Sequence, residues 1–546
     1  MSNKEIASAF DELANLLELH EDNAFKIRSY RNAYLTLRKL DRPLSGFSDA
    51  EIKEIKGIGP AISGKIRELL AAGKMHALEE ARAQTPAGVA EMLQVNGFGP
   101  KKVRVVWKEM GIGNIGELWY ACHENRLVGY KGFGLKTQED LKRRLEYYLR
   151  SKDQLHCDAA EEEADFVCAI LTGNLAGAFV SPVGALRRRC PVVEQLEILV
   201  GYNGDLAPAF DGQAVVLDKE ENGVYHIRLE NNTPVRIHRC LVETFGSKLF
   251  ELTGTAAFVD AFVRAAPGLQ FKGLRTEQEV FEKAGLPYVM PELRDTPASL
   301  ERARSGQMPE LITEPDIRGV LHVHTTWSDG LHSLRDMCAY ARELGYAYIG
   351  ITDHSQSAFY ANGLKPDRVL AQMDEIEALN AEMAPFRIYK GIESDILNDG
   401  ALDYPDNLLE KFDFVIASVH SNLKMNREKA TERLVRAIEN PYTRILGHPT
   451  GRLLLSREGY PLDWDAVFDA CARHRVAIEL NANPYRLDID WTLIPEAIRR
   501  GIPISINPDA HSKEGIHDIR YGVQVARKGE LTAAACLNAA EALAFG

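Results

Sequence analysis

The chain has 546 residues, 45% of them hydrophobic and 26% charged, and a net charge of −13. That length is too great for one core and fits three or four domains of a soluble protein. Met1 to Asn23 has no charged leader before an apolar run, and no later apolar stretch approaches the roughly 18 residues of a membrane helix, so secretion and membrane spanning are not expected.

The eight cysteines are scattered, with no CxxC pairing. They read as small buried residues in a reducing cytoplasm rather than as disulfides or zinc knuckles. Net acidity argues against nucleic acid, but the charge is uneven. Residues 1–152 hold 25 Lys and Arg against 20 Asp and Glu, a net of +5, which leaves −18 for the rest. A polyanion-binding front and a carboxylate-built rear would produce that asymmetry, as would an ordinary solvated surface.

From Lys4 to Leu40 the apolar residues recur at helical spacing, as Ile6, Phe10, Leu13, Leu16 and Leu17, then Phe25, Ile27, Tyr30, Tyr34 and Leu37. Asn23 is placed to cap the second of two helices. Two similar units follow, Ile55-Lys56-Gly57-Ile58-Gly59-Pro60-Ala61 and Val95-Asn96-Gly97-Phe98-Gly99-Pro100-Lys101, each before a helical run. A weaker third is Tyr130-Lys131-Gly132-Phe133-Gly134-Leu135-Lys136. In such a hairpin the glycines allow a tight turn, and the next helix begins with free backbone N–H groups. Those donors accept a phosphate oxygen without reading a base. Lys65, Lys101, Lys102, Arg104 and Lys136 would add charge, and repetition of the frame points to helix-hairpin-helix DNA binding.

Residues 164–290 read as α+β, with a helix at 161–172 and strands near 196–202, 213–217, 224–230 and 235–241. Pro287 to Pro315 is polar and proline-rich and reads as a linker, with Leu300 to Arg304 able to be helical. Beyond Arg318, strand-like runs at 319–324, 346–352, 386–392, 412–419, 443–447, 475–481 and 502–506 alternate with helical runs at 333–344, 366–383, 427–439, 463–474 and 492–500. That alternation implies a parallel barrel, whose chemistry collects at the carboxyl ends of the strands.

Histidines and acids stand at those ends: His322, His324 and Asp329, then His354, Glu393, His420, His448, and finally Asp509 and His511. Only the strand ending at Asn481 lacks one. His322 and His324, at i and i+2 on an extended segment, are expected to project to the same side. One histidine at a strand end is usually a satisfied core or surface residue; nine ligand-type residues in this order are not. Nitrogen and oxygen donors without cysteine suit two or three divalent ions, Mn2+ or Zn2+ before others. Closely spaced ions of that kind clamp a phosphate and activate water, so the reaction class is metal-assisted phosphoester hydrolysis. His322, His324, Glu393 and Asp509 are the expected catalytic centre, with Arg452 as a candidate phosphate clamp. The remaining histidines, among them His20, His156, His238 and His517, read as structural.

The series His322-x-His324, Asp329-Gly330, Thr352-Asp353-His354, Glu393, Ser418-Val419-His420, His448-Pro449 and Asp509-Ala510-His511 resembles the PHP (polymerase and histidinol phosphatase) family over about 317–546. The resemblance implies a distorted seven-stranded barrel with up to three metals and all nine ligand positions occupied. The whole chain resembles the bacterial family X DNA polymerases that carry such a domain at the C-terminus. That implies a lyase-type helical domain at 1–80, helix-hairpin-helix fingers at 81–152, a nucleotidyltransferase-like α+β palm and thumb at 153–295, a linker at 296–316 and the PHP domain at 317–546. It also puts Lys65 where lyase-type relatives carry a Schiff-base lysine. A lysine does that chemistry only with a lowered pKa; otherwise it is a surface lysine against phosphate.

The palm departs from its family. The frame Gly-Ser-x-Arg-Arg reads Gly184-Ala185-Leu186-Arg187-Arg188 here, and the two aspartates of Gly-Asp-x-Asp fall on Gln195 and Glu197. The third aspartate falls on Arg236. Nucleotidyl transfer needs clustered carboxylates to hold two Mg2+, so the expectation is a polymerase-like fold without polymerase activity. The reading that follows is a cytoplasmic, nucleoid-associated monomer acting as a metal-dependent 3′→5′ exonuclease or 3′-end-processing enzyme on gapped, nicked or 3′-ended DNA. Its rivals are a catalytically idle DNA-binding scaffold and a PHP phosphatase for a small phosphomonoester.

Overall fold

The helical spacing at the start of the chain is realised as Asn3–Leu19 and Ala24–Leu37, with Asn23 accepting the Phe25 N–H at 2.8 Å as the cap of the second helix. Phe10, Leu13 and Leu16 are fully buried, whereas Phe25, counted into the same stripe, is 82% exposed in the first turn of its helix. The computed structural model describes residues 1–543 other than 2, 39, 41, 96, 151–153, 269, 271 and 272. Asn96 of the second hairpin and the expected boundary at 152/153 therefore lie outside the described residues. The chain forms two compact units, Met1–His123 with Leu127–Tyr148, and Glu124–Arg126 with Leu149–Gly546.

All three hairpins of the first unit are built alike. The amides of Ile58, Phe98 and Phe133 donate to the carbonyls of Ile55, Val95 and Tyr130 at 2.9, 3.0 and 3.0 Å, and all three apolar side chains are buried. Gly57, Gly97 and Gly132 have φ of 90°, 74° and 95°, which side-chain-bearing residues rarely adopt. Gly59 and Gly99 cap the helices Pro60–Ala72 and Pro100–Arg104 without a side chain, and a third helix runs Leu135–Arg150. The third hairpin, weaker as a motif, is equal as a turn.

In the second unit the helix Cys157–Asn174 packs on a five-stranded sheet. Its strands lie in the order Phe179–Pro182, Leu196–Gly201, Pro234–Cys240, Val224–Leu229 and Val215–Glu221. Only Leu196–Gly201 and Pro234–Cys240 run parallel. Ile198, Val200, Ile227 and Ile237 face the helix through Val167 and Leu171. Phe250, Phe258, Phe262 and Phe281 then form a separate aromatic core among the helices that follow.

The stretch expected to be a linker is instead packed. It carries the helix Pro297–Arg304, with Leu300 and Ala303 buried on that aromatic core, and Ile312 is buried against the barrel. A helix not foreseen from the sequence, Ile519–Lys528, holds this connection. Arg527 pairs with Glu292 at 2.6 Å, and the buried Lys528 ammonium meets Asp295 and the Arg188 carbonyl. Long-range pairing thus orders a segment whose composition favours a loop.

Gly319–Val323, Tyr348–Ile351, Arg387–Asp395, Phe414–Ser418, Thr443–Leu446, Ala477–Asn481 and Ile504–Asn507 form one parallel sheet in chain order. A bridge between Val323 and Ala510 brings the first strand against the segment after the last, so the barrel is nearly closed. These strands are buried throughout most of their length, as expected where helices cover a parallel sheet.

Candidate metal centre

All nine expected ligand residues converge at the carboxyl ends of the barrel strands. Their local geometry is less regular than strict alternation. Pairing with the neighbouring strand shifts between Val320 and Val323, and His322 has φ of 58°. That bulge, rather than an extended i, i+2 repeat, brings the His322 and His324 rings to 5.3 Å. Asp509 also lies in the left-handed region, with φ of 53°. Strained backbone of this kind, costing on the order of 1–3 kcal/mol per residue, clusters at functional sites.

Glu393 is the centre of the cluster. Its Oε1 lies 3.2, 3.1 and 3.0 Å from Nε2 of His322, His420 and His448, and its Oε2 lies 2.8 Å from His354 Nδ1. Asp509 Oδ1 lies 3.4 and 3.2 Å from Nε2 of His322 and His324. Asp329 faces His324, His354 and His511 at 3.8, 3.6 and 3.6 Å. Donors about 2.0–2.2 Å from one cation lie about 3–3.5 Å from each other, so many of these separations suit shared ions. Four overlapping groups result: His324, Asp329, His354 and His511; His322, Glu393 and His448; His322, His324 and Asp509; His354, Glu393 and His420. Among the described residues no other part of the chain gathers three such ligand atoms.

Buried polar atoms test the fit. Nε2 of His322, both nitrogens of His324, Nδ1 of His354, Nε2 of His511, Oδ2 of Asp329 and Oε2 of Glu393 are buried without a hydrogen-bond partner. His354 Nδ1 and Glu393 Oε2 are 2.8 Å apart yet not aligned to bond each other. Buried groups in such numbers are not left unsatisfied without cause. The donor set fits divalent cations.

Charge compensation points the same way. Burial alone would raise the Asp329 and Glu393 carboxyls, but the imidazoles around them outweigh it and hold both well below the carboxylate range. Burial would likewise lower His511, yet Asp329 lifts it to about 10. His324, buried and beside His511 and His354, falls to about 3. Protons and metal would compete for the same donor atoms.

Several functional residues escape a reading of the sequence alone. Glu479, on the one strand that seemed to lack a contribution, places Oε1 at 2.6 Å from His322 Nδ1 and accepts the Asn507 amide at 2.8 Å. Its Oε2 accepts the His448 backbone N–H at 2.7 Å. Asp395 Oδ1 lies 2.6 Å from His420 Nδ1. Each carboxylate fixes a tautomer and turns the opposite ring nitrogen toward the cluster. Asp353 accepts from Thr325 and Ser328 and so holds the loop between His324 and Asp329. The alternation Glu479-x-Asn481 at a strand end was the available signal, since Asn481 also donates to Asp509 at 3.0 Å.

Arg452 does not join the cluster. Its guanidinium pairs with Asp490 at 2.6 Å and donates to the carbonyls of Arg486 and Leu487, so it is spent on holding that turn. The turn instead presents Arg486, 5% exposed, with Nε 3.7 Å from Asp509 Oδ2. In the helical unit Lys101 and Lys136 are exposed, Lys65 and Lys102 half-buried, and Arg104 is paired with Glu21.

The palm positions also fall together. Glu197 and Arg236 are register partners on the two parallel strands, and Glu197 Oε1 lies 3.1 Å from His238 Nε2. Gln195 donates to the Leu196 carbonyl at 3.2 Å. Arg187 is tied to Glu277 and Thr253, and Arg188 to Asp295 and the Thr253 carbonyl.

Residues 1–75 match the family described as a helix-hairpin-helix domain, and residues 321–483 the family described as a PHP domain. Over 560 residues the chain is 33% identical to the "DNA polymerase/3'-5' exonuclease PolX" of Bacillus subtilis (strain 168), which covers 99% of this chain and 98% of that protein. A "Probable phosphatase" of Caldanaerobacter subterraneus subsp. tengcongensis is 27% identical over 208 residues, covering 36% of this chain and 77% of its own length. A "Probable phosphatase" of Syntrophotalea carbinolica is 28% identical over 210 residues, 36% of this chain and 81% of its own.

Proposed function

The chain belongs to the bacterial family X DNA polymerases that carry a C-terminal PHP domain, and on that premise we propose that it is a metal-dependent DNA phosphoesterase trimming 3′ ends in the 3′→5′ direction. The observation that carries the reading is the contrast between its two candidate centres. Eight ligand-type residues meet around Glu393, whereas the palm face offers Glu197 with Arg236 as its strand partner and His238 at 3.1 Å. One carboxylate, with an arginine as its strand partner and a glutamine where a second acid is needed, does not hold two Mg2+, and on this reading nucleotidyl transfer is absent.

His324, Asp329, His354 and His511 would hold one ion, and the groups sharing Glu393 and Asp509 two more, Mn2+ or Zn2+ in each case. Such ions supply Lewis-acid activation of the phosphoester and of the attacking water. The chain's residues do the rest. Glu479 and Asp395 hold His322 and His420 in one tautomer, and Asp353 sets the position of Asp329. Arg486, buried between Asp509 and Glu124 at 3.7 and 3.8 Å, sets positive charge beside the cluster.

The division of labour follows the proposed domains. Residues 1–80 and 81–152 grip gapped, nicked or 3′-ended DNA through their hairpins, 153–295 serves as an inactive palm and thumb, and 317–546 cuts. The protein acts as a monomer. Small-phosphomonoester hydrolysis, suggested by the relatives named as probable phosphatases, is the second reading; three hairpins in the same chain favour DNA. Comparing turnover of a labelled DNA 3′ end with that of histidinol phosphate, in Mn2+, separates the two. Preference for the small ester would displace the DNA reading.

A further inference from the structure

Phe359 is 83% exposed, which with Phe25 makes it one of the two most exposed large apolar side chains among the described residues. A single exposed aromatic is ordinary on a protein surface; its setting makes this one informative. It sits in the short turn Phe359–Ala361, five residues after the ligand His354, and its neighbours Ala358 and Ala361 are buried. The Phe359 ring lies 5.9 Å from that of Tyr360, and Tyr360 lies 6.4 Å from His354. Two ring contacts thus join an open aromatic face to a metal ligand.

The loop that carries it is clamped. The Leu364 amide donates to the His354 carbonyl at 2.9 Å, and Asn362 donates to the carbonyls of Trp327 and Ser328 at 3.3 and 3.4 Å, just before the ligand Asp329. Ser357 donates its backbone amide to Asp403 at 2.6 Å. At Gly363 a Cβ would meet the Ser355 carbonyl oxygen at 2.0 Å, so the turn closes only with glycine there. An apolar ring with two buried neighbours, anchored to two ligand segments and left in solvent, has no packing role to fill.

We propose that Phe359 is a specificity-determining platform on which a nucleobase of the strand being cut stacks while its phosphate lies in the metal centre. Every base has a π-face, so such contact grips a strand without reading sequence, and truncating it costs about 5- to 150-fold in affinity. A small phosphomonoester without a base gains nothing from it. The inference rests on the reading of the barrel as a DNA phosphoesterase and adds what distinguishes its substrate.

Single-stranded oligonucleotides with 2-aminopurine at the 3′-terminal or penultimate position, and a phosphorothioate at the last linkage to slow cutting, test it on the full chain. The wild type and Phe359→Trp are expected to quench the fluorophore at one of these positions. Phe359→Ala should bind the oligonucleotide at least about fivefold more weakly and lose the quenching, with unchanged metal content. Replacing the stacked base by an abasic site should weaken the wild type by the same factor and leave Phe359→Ala unaffected. No quenching by the wild type, or equal quenching by Phe359→Ala, overturns the platform. Release of the 3′ nucleotide from an unmodified strand is scored separately; its absence counts against the phosphoesterase reading alone.

Discussion

Replacing Glu479 by glutamine probes how the metal centre is held without touching a ligand. Both carboxylate oxygens of Glu479 accept. Oε1 takes the Asn507 amide at 2.8 Å and lies 2.6 Å from His322 Nδ1, and Oε2 takes the His448 N–H at 2.7 Å. Glutamine offers one acceptor, so its NH2 must face at least one of these donors. The loss is one charge-assisted hydrogen bond, about 1.5–3 kcal/mol, together with the charge that fixes the His322 tautomer. Supporting carboxylates of this type are worth roughly 10- to 100-fold in metal affinity or activity, which agrees with that energy. Metal content after dialysis, Mn2+ titration by calorimetry and 3′-end digestion measure it. Glu479→Gln should retain its fold, bind metal at least about tenfold more weakly and recover part of its activity in excess Mn2+. Unchanged affinity and rate would show that the His322 orientation does not depend on Glu479.

Three further outcomes are expected. Glu277 is buried; Arg187 and Arg294 outweigh that burial and hold its carboxyl at about 2 instead of its ordinary 4.5. Its folded pKa is depressed, so its contribution is complete above pH 4.5 and is lost as the pH falls toward 2. Glu277→Gln should cost about 3–5 kcal/mol at pH 7 by leaving Arg294 buried and unpaired, and less at pH 3 by denaturant unfolding; an equal cost at both pH values would refute the assignment. Lys101→Ala with Lys136→Ala should weaken DNA binding across sequences and lower the salt slope by about 0.7–0.9 for each phosphate that is no longer neutralised, measured by fluorescence anisotropy. An unaltered slope would remove the hairpins from the DNA-binding surface. Chelation should lower the melting temperature, and Mn2+ at a hundredfold excess over its dissociation constant should restore about 2.7 kcal/mol. A melting curve indifferent to chelator would mean that the cluster holds no ion.

The convergence of the nine histidines and acids was legible because these are rare types recurring at strand ends. The hairpins were legible because each needs glycine at one left-handed position, Gly57, Gly97 and Gly132. The nearly closed parallel barrel followed from alternating periodicity, and no described helix is long and apolar enough to cross a membrane. What stayed hidden depends on partners distant in the chain. Arg452 looked like a phosphate clamp by its closeness to His448, but Asp490 and two carbonyls claim it. The bulge at His322 arises from a register shift between strands. The stretch after Pro287 looked like a linker until Arg527 and Lys528, more than 230 residues later, paired with Glu292 and Asp295. Glu479 carried a visible alternation with Asn481, yet an acid on a strand is more often read as surface.

One centre, in the barrel, is proposed to do all the phosphoryl chemistry of this chain. A 5′-labelled primer on a one-nucleotide gap, incubated with Mn2+ and all four deoxynucleotides, reports both activities in one lane. Only shortened primer is expected from the wild type, and intact primer from His322→Ala with His324→Ala. Extension by either protein, or shortening that survives in the double variant, would contradict it.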